Sequence, residues 1–195
     1  MKTDIVLAGV GGQGVLSIAA VIGACALEEG YAVKQSEVHG MAQRGASVYA
    51  HLRIADRPIA SPLIGQGTAD LLLSMEPMEV FRYLGLLAPG GKVVTAIEPV
   101  PNVTGYLPIA EVLDAVRAIP GALLVDTEGL ARLAGTPRVA NVVLVGAVSD
   151  LLPIRAQAFE AHLRRAFAAK GPKVVEANLA AFRLGREAAM APVSA

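Results

Sequence analysis

The chain has 195 residues, 54% of them hydrophobic, and its 17 basic and 17 acidic side chains cancel to a formal net charge of zero. That length suits one well-buried domain better than two. Without a basic excess or tryptophan, and with few aromatics, the chain lacks both the charge footprint and the stacking platforms of a nucleic-acid binder. No apolar run reaches the roughly 20 residues of a membrane span, so the apolar excess is expected to face a large partner subunit.

Met1-Lys2-Thr3-Asp4 leads directly into an apolar strand, which predicts a cytoplasmic protein with no signal peptide. The strand breaks into Gly9-Val10-Gly11-Gly12-Gln13-Gly14, and an apolar helix is predicted over 15–27. Gly9, Gly11 and Gly14 have the G-x-G-x-x-G spacing, which assigns them three jobs. Gly9 turns the chain, Gly11 admits a ligand to the backbone, and Gly14 lets the helix pack close. The free N–H groups at the helix start suit an anion, although a tight turn that binds nothing has the same pattern. Residues 31–37 read as the second strand, and its Glu37 sits near the ribose-binding position of a dinucleotide site. The chain then departs from that plan. A polar loop carrying His39, Gln43 and Arg44 leads to an alternating strand over 47–54, where a nucleotide fold would place a helix.

Further along, 71–75 is a short strand, Pro77 opens a helix over 78–87, and Ala88-Pro89-Gly90-Gly91 stops it. A strand over 92–96, a proline-bearing loop over 97–105, a helix over 109–119 and a strand over 122–126 follow. Thr127 is expected to cap a helix over 128–134, and helices starting near Val139, Arg155 and Lys173 finish the chain. This order predicts a single-domain α/β fold over 1–190: a Rossmann-like, open, mostly parallel sheet with helices on both faces and C-terminal helices. Residues 191–195 are expected to form a frayed tail.

Chemistry-bearing residues are few. Cys25 is the only cysteine and lies mid-helix, so it reads as a small core hydrophobe. An iron–sulfur cluster needs about four such ligands. His51 and His162 read as surface or packing residues. His39 shares its loop with Glu37, Gln43 and Arg44, too few ligands for a metal site. Arg44 has the planar fork that suits a carboxylate or phosphate, or an ion pair with Glu37 or a partner. Asn141 is expected to bond to neighbouring backbone, and Asp70 and Asp126 to cap or turn.

The Gly9–Val15 segment, together with Ser36-Glu37-Val38-His39-Gly40-Met41-Ala42-Gln43-Arg44-Gly45, resembles the gamma-type subunits of 2-oxoacid:ferredoxin oxidoreductases, the indolepyruvate branch most closely. The likeness continues through Ser61-Pro62-Leu63-Ile64, Asp70-Leu71-Leu72-Leu73-Ser74 and the stretch from Arg138 through Asn141 to Gly146. Ala46 departs from it, standing where a second glycine is expected; alanine tolerates positive φ poorly. The resemblance implies a hetero-oligomer whose larger partner subunit carries thiamine diphosphate, magnesium and 4Fe-4S clusters. That complex would convert a 2-oxoacid to an acyl-coenzyme A with ferredoxin as electron acceptor. This chain would hold no cofactor tightly and no catalytic residue of its own. Gly9, Gly11, Gly12, Gln13, Gly14, Glu37, His39, Gln43 and Arg44 would complete the cofactor site, the glycine loop meeting coenzyme A, another anion or only partner backbone. A stand-alone nucleotide-binding enzyme and a scaffolding subunit with an empty glycine turn are the alternatives.

Overall fold

The computed structural model describes residues 1–39, 45–101 and 104–190. Six strands form one sheet in the order β2-β3-β1-β4-β5-β6. They span Lys2–Val10 (β1), Ala32–His39 (β2), Ser47–Ala55 (β3), Ala69–Ser74 (β4), Leu87–Ala96 (β5) and Leu123–Val125 (β6). β1, β4, β5 and β6 pair in parallel, while β3 runs antiparallel to both β1 and β2. The expected open, mostly parallel sheet is therefore present, with one reversed strand inside it.

Period-two alternation sorts β1 between two cores. Ile5 and Leu7 face a large core that includes α1 (Val15–Glu28), α5 (Ala140–Val148), α6 (Ala156–Phe167) and α7 (Pro172–Met190). Val6 and Ala8 face a smaller core with Val80 of α2 (Pro77–Tyr83) and Val116 of α3 (Ile109–Arg117). Both faces of β1 are buried, which explains its nearly unbroken apolar sequence. α4 (Thr127–Leu133) follows β6 and packs against α5 and α7. No described helix is long and apolar enough to cross a membrane.

Three local expectations are corrected. α2 ends at Tyr83, with a 3₁₀ turn over Leu84–Leu86, instead of running to residue 87. Ala88-Pro89-Gly90-Gly91 lies inside β5, where the register slips from Ala69↔Leu87 to Leu71↔Lys92. Gly90 is left-handed there, and a Cβ on Gly91 would sit 2.9 Å from Ala69 O. These glycines make a bulge, which shares its turn residues with a helix stop. The cap of α4 is Asp126, whose Oδ1 accepts from Gly129 N at 2.7 Å; Thr127 is the first helical residue. Its hydroxyl donates to Glu98 Oε2 instead.

α5 is buried almost all round and crosses α7 at two glycines. A Cβ on Gly146 would lie 2.0 Å from Phe182 O, and one on Gly185 would lie 2.0 Å from Val143 O. Nothing larger than hydrogen fits between the two backbones. Near the amino end of β1, buried Asp4 receives the Arg53 guanidinium of β3 on both oxygens (2.9 and 3.0 Å). Arg53 also donates to Ser61 O and Leu63 O, tying the segment after β3 across its strand.

Candidate functional site: a glycine turn at the carboxyl edge of the sheet

α1 follows β1 on one face, and α2 follows β4 on the other. The neighbouring carboxyl ends of β1 and β4 therefore part in opposite directions, the geometry in which open α/β sheets form a ligand crevice. Gln13 spans that parting. Its Oε1 accepts from Val10 N at 2.7 Å, and its Nε2 donates to Met75 O at 2.9 Å.

The glycines divide their work differently from the sequence expectation. Gly9 is still within β1, paired with Val48; a Cβ there would meet Val15 Cγ2 at 2.7 Å and Met75 Cβ at 3.0 Å. Close helix–strand packing therefore belongs to Gly9. Gly12 and Gly14 carry the left-handed turn, with φ of 106° and 90°. Gly14 also abuts α5, since a Cβ on it would lie 3.1 Å from Asn141 Nδ2. Asn141 Oδ1 accepts from Val142 N at 3.0 Å, the backbone bond expected of it. No side chain caps α1, and no acidic residue stands in its first turn, leaving its dipole free to favour an anion.

Gly11 meets the chain itself. Its N–H donates to Ala46 O at 2.8 Å, and its carbonyl accepts from Gly45 N at 3.3 Å. The two segments that carry the family resemblance are thus stitched together. Gly45 supplies the positive φ, and no described non-glycine residue has one, so Ala46 needs no left-handed conformation. His39 ends β2 opposite Val48, on the same rung as Gly9. Glu37 lies elsewhere: β3 intervenes between β2 and β1, and Glu37 is exposed, with Gln35 Nε2 donating to it at 3.5 Å among the described residues. That placement does not reproduce the adjacent acidic residue of a dinucleotide site. Gln43 and Arg44 lie outside the described residues.

Two cavities border the turn and a third opens beside the first turn of α1. One of about 370 Å³ lies against Gly11, Gly12, Val15 and Val48. A second, about 390 Å³, is lined by Gly12, Gln13, Met75, Glu98, Thr127 and Arg138. The third, about 900 Å³, opens between Ser17, Arg138, Asn141, Lys170, Lys173 and Asn178. Arg138 and Asn141 border both of the last two. Sequence reasoning missed Glu98, Lys170 and Lys173, because only tertiary packing brings residues after β5 and around the start of α7 to this edge. Glu98 accepts from Thr127 Oγ1 at 2.8 Å and from Glu128 N at 2.6 Å, while burial pushes its carboxyl above the usual range.

The other singled-out residues serve the framework. His162 pairs with Glu28 beside Arg165 at the α1–α6 contact, and these two partners hold the Glu28 carboxyl below its usual range. His51 is buried, with its Nδ1 accepting from Ile64 N at 2.9 Å. Cys25 is fully buried, and burial, reinforced by Glu28, pushes its thiol up to about 12. Among the described residues no cluster of three or more metal-ligating side chains occurs. At pH 8 only about one Cys25 in ten thousand is thiolate, so a disulfide reagent is expected to label it at the rate of unfolding. Labelling in native buffer as fast as a free thiol would show that α1 opens readily.

Comparison with known proteins agrees with this architecture. Residues 4–188 match the family described as Pyruvate ferredoxin/flavodoxin oxidoreductase. The chain is 38% identical to an indolepyruvate oxidoreductase subunit IorB of Pyrococcus horikoshii, covering 95% of each. It is 34% identical to the Archaeoglobus fulgidus IorB, covering 95% of this chain and 94% of that one. Among solved structures, a keto/oxoacid ferredoxin oxidoreductase gamma subunit from Geobacter sulfurreducens has the same fold (TM-score 0.68, 24% identity, 96% and 98% covered). A 2-oxoglutarate:ferredoxin oxidoreductase from Magnetococcus marinus, solved with 2-oxoglutarate, coenzyme A and succinyl-CoA bound, gives a TM-score of 0.78 at 21% identity. That match covers all of this chain but only 32% of the other, so the fold seen here is about a third of that longer chain. On the family match and the end-to-end identity, the chain belongs to the pyruvate ferredoxin/flavodoxin oxidoreductase family.

Proposed function

We propose that this chain is the cluster-free subunit of a 2-oxoacid:ferredoxin oxidoreductase of the indolepyruvate type. The carrying observation is the end-to-end likeness to four IorB subunits at 31–38% identity, against 27–29% for the 2-oxoglutarate synthase subunits KorC. The reaction is oxidative decarboxylation of a 2-oxoacid to an acyl-coenzyme A, with ferredoxin taking the electrons. Thiamine diphosphate, magnesium and 4Fe-4S clusters in a larger partner subunit supply the decarboxylation and electron-transfer chemistry. The residues here do not fit a cluster, because the one thiol is buried in the core and held protonated.

They do fit an anionic acyl acceptor such as coenzyme A. Arg138, Lys170 and Lys173 are exposed around the 900 Å³ cavity, where their charges would hold phosphate groups. The glycine turn presents open backbone beside them and the uncapped start of α1. Gln13 keeps the turn in register with Met75. In this reading Arg44, next in sequence to the Gly45 whose N–H donates to Gly11 O, adds an anion contact.

The test is co-expression with a larger thiamine-diphosphate, iron–sulfur subunit, followed by viologen reduction with indolepyruvate, pyruvate or 2-oxoglutarate. Turnover is expected only in the complex, and to be best with indolepyruvate. Arg138→Gln and Arg44→Ala should each raise the KM for coenzyme A roughly tenfold to a hundredfold, the loss of one charge-assisted contact of about 1.5–3 kcal/mol. Sustained turnover by the repurified chain alone, or better turnover with 2-oxoglutarate, would overturn the assignment. An unchanged KM for coenzyme A in both variants would remove the cavity from the acceptor site.

A further inference from the structure

A separate cavity lies on the opposite face of the sheet from α1. On β3, alternation sends Ser47, Tyr49, His51 and Arg53 to the face that carries α2, because His51 pairs with Val6 and Val6 belongs to the α2 core. β3 lies towards the far edge from β4 and β5, and the chain after it folds back across this face. Arg53 holds Ser61 O and Leu63 O, and His51 Nδ1 takes the Ile64 N–H. A cavity of about 300 Å³ remains, lined by Tyr49, His51, Gln66, Arg82, Tyr83 and Gly85. It shares no lining residue with the other three cavities.

Its lining offers three donors: His51 Nε2, the terminal nitrogens of Arg82 and the Gln66 amide. Ile64 N–H occupies Nδ1 of His51, which places the ring proton on Nε2. His51 is only 7% exposed, and its Nε2 is buried without an acceptor among the described residues. Burial, seconded by the nearby Arg53 charge, holds the imidazole below its usual range and hence neutral, a pure donor at this atom. Arg82 directs Nε to Glu79, while its two terminal nitrogens have no partner among the described residues. The Gln66 side chain, lying over Gly85, likewise has no hydrogen-bond partner among them. A buried donor left unpaired costs about 1–3 kcal/mol, so His51 Nε2 marks where an acceptor belongs, with the exposed Arg82 and Gln66 side chains lining the same cavity. The walls are aromatic: Tyr49 lies 4.7 Å from Tyr83 and 5.5 Å from His51, centroid to centroid.

We propose that this cavity is a carboxylate-binding site, with Arg82, Gln66 and His51 as donors and the paired tyrosines receiving the flat body that bears the carboxylate. Arginine's parallel fork matches the two carboxylate oxygens, whereas a neutral carbonyl would use only part of it. The Glu79 carboxylate does not occupy the place, since it is held by Ser47 Oγ and Arg82 Nε. The carboxylate comes either from a small aromatic acid or from an acidic side chain of the partner subunit.

The experiment uses benzoate and acetate as probes on the full chain, followed by calorimetry and by the ¹⁵N resonances of His51. Benzoate should bind saturably and shift His51 Nε2, and should bind at least tenfold more tightly than acetate. Arg82→Gln and Gln66→Ala should each weaken it tenfold or more; Gln66→Ala leaves the Glu79 contacts intact and so controls for misfolding. If instead neither probe binds, but Arg82→Gln and Gln66→Ala both weaken association with the larger subunit tenfold, the carboxylate is the partner's. Absence of probe binding together with wild-type assembly in both variants overturns the proposal.

Discussion

Replacing Gly146 with alanine is expected to destabilise the protein by about 3 kcal/mol or more, the upper end of what overpacking a core costs. In an exposed helix the same change would help by about 0.5–1 kcal/mol, because alanine is the better helix former. The sign reverses here because the new methyl would stand 2.0 Å from Phe182 O and 3.1 Å from Arg186 N, all of it backbone on α7. A side chain could rotate away; a helix backbone must move bodily, and α7 is also packed on α4 and α6. Gly23→Ala is the internal control, since its methyl would meet Leu52 Cδ1 and Val33 Cγ1 at an ordinary 3.6 Å. Urea melts read both. A Gly146→Ala midpoint at or above wild type would mean that α5 and α7 do not cross as closely as described.

Gln13→Glu is expected to be the most damaging near-isosteric change at the site, costing about 2–3 kcal/mol. The substitution keeps an oxygen for Val10 N but turns a second oxygen towards Met75 O, replacing a 2.9 Å hydrogen bond with repulsion between acceptors. Gln13→Ala loses both bonds without the repulsion and should cost about 1–2 kcal/mol. Because Gln13 ties the ends of β1 and β4, both variants should also impair the assembled enzyme more than their stability loss predicts. The readouts are the melting midpoint and the KM for coenzyme A in the complex. Equal stability in Gln13→Glu and wild type would show that the bracket does not form.

Patterns of short range were readable from the residues alone. The run from Thr3 to Val10 and the glycine spacing located β1, its turn and the start of α1, because a strand-to-helix reversal needs those residue types within a few positions. The same holds for α3, β6 and the three closing helices, whose periodicity and apolar composition are local properties. The loss of βαβ order after Glu37 was also visible, and it marked the antiparallel β2–β3 pair. Punctuation was less reliable. Gly90-Gly91 supplies the same conformational freedom to a bulge as to a helix stop, and Asp126-Thr127 offers two capping residues in a row.

By itself, then, the sequence determined the α/β class, the place of the glycine turn and the family, since these rest on periodicity and on contiguous motifs. Tertiary structure alone decided which contacts those residues make. Inserting β3 between β2 and β1 carried Glu37 away from the turn while binding Gly45 and Ala46 to Gly11. Folding the segment after β3 across the sheet buried His51, which alternation had marked only as a strand residue, and left one ring nitrogen unpaired. Arg138, Lys170 and Lys173 gather at one cavity, and Gly146 meets Gly185, through helix packing between distant stretches of chain. The physical reason is one of range. Backbone preference and hydrophobic period act over a few residues, whereas burial, hydrogen-bond satisfaction and close helix approach depend on neighbours that only the folded chain supplies.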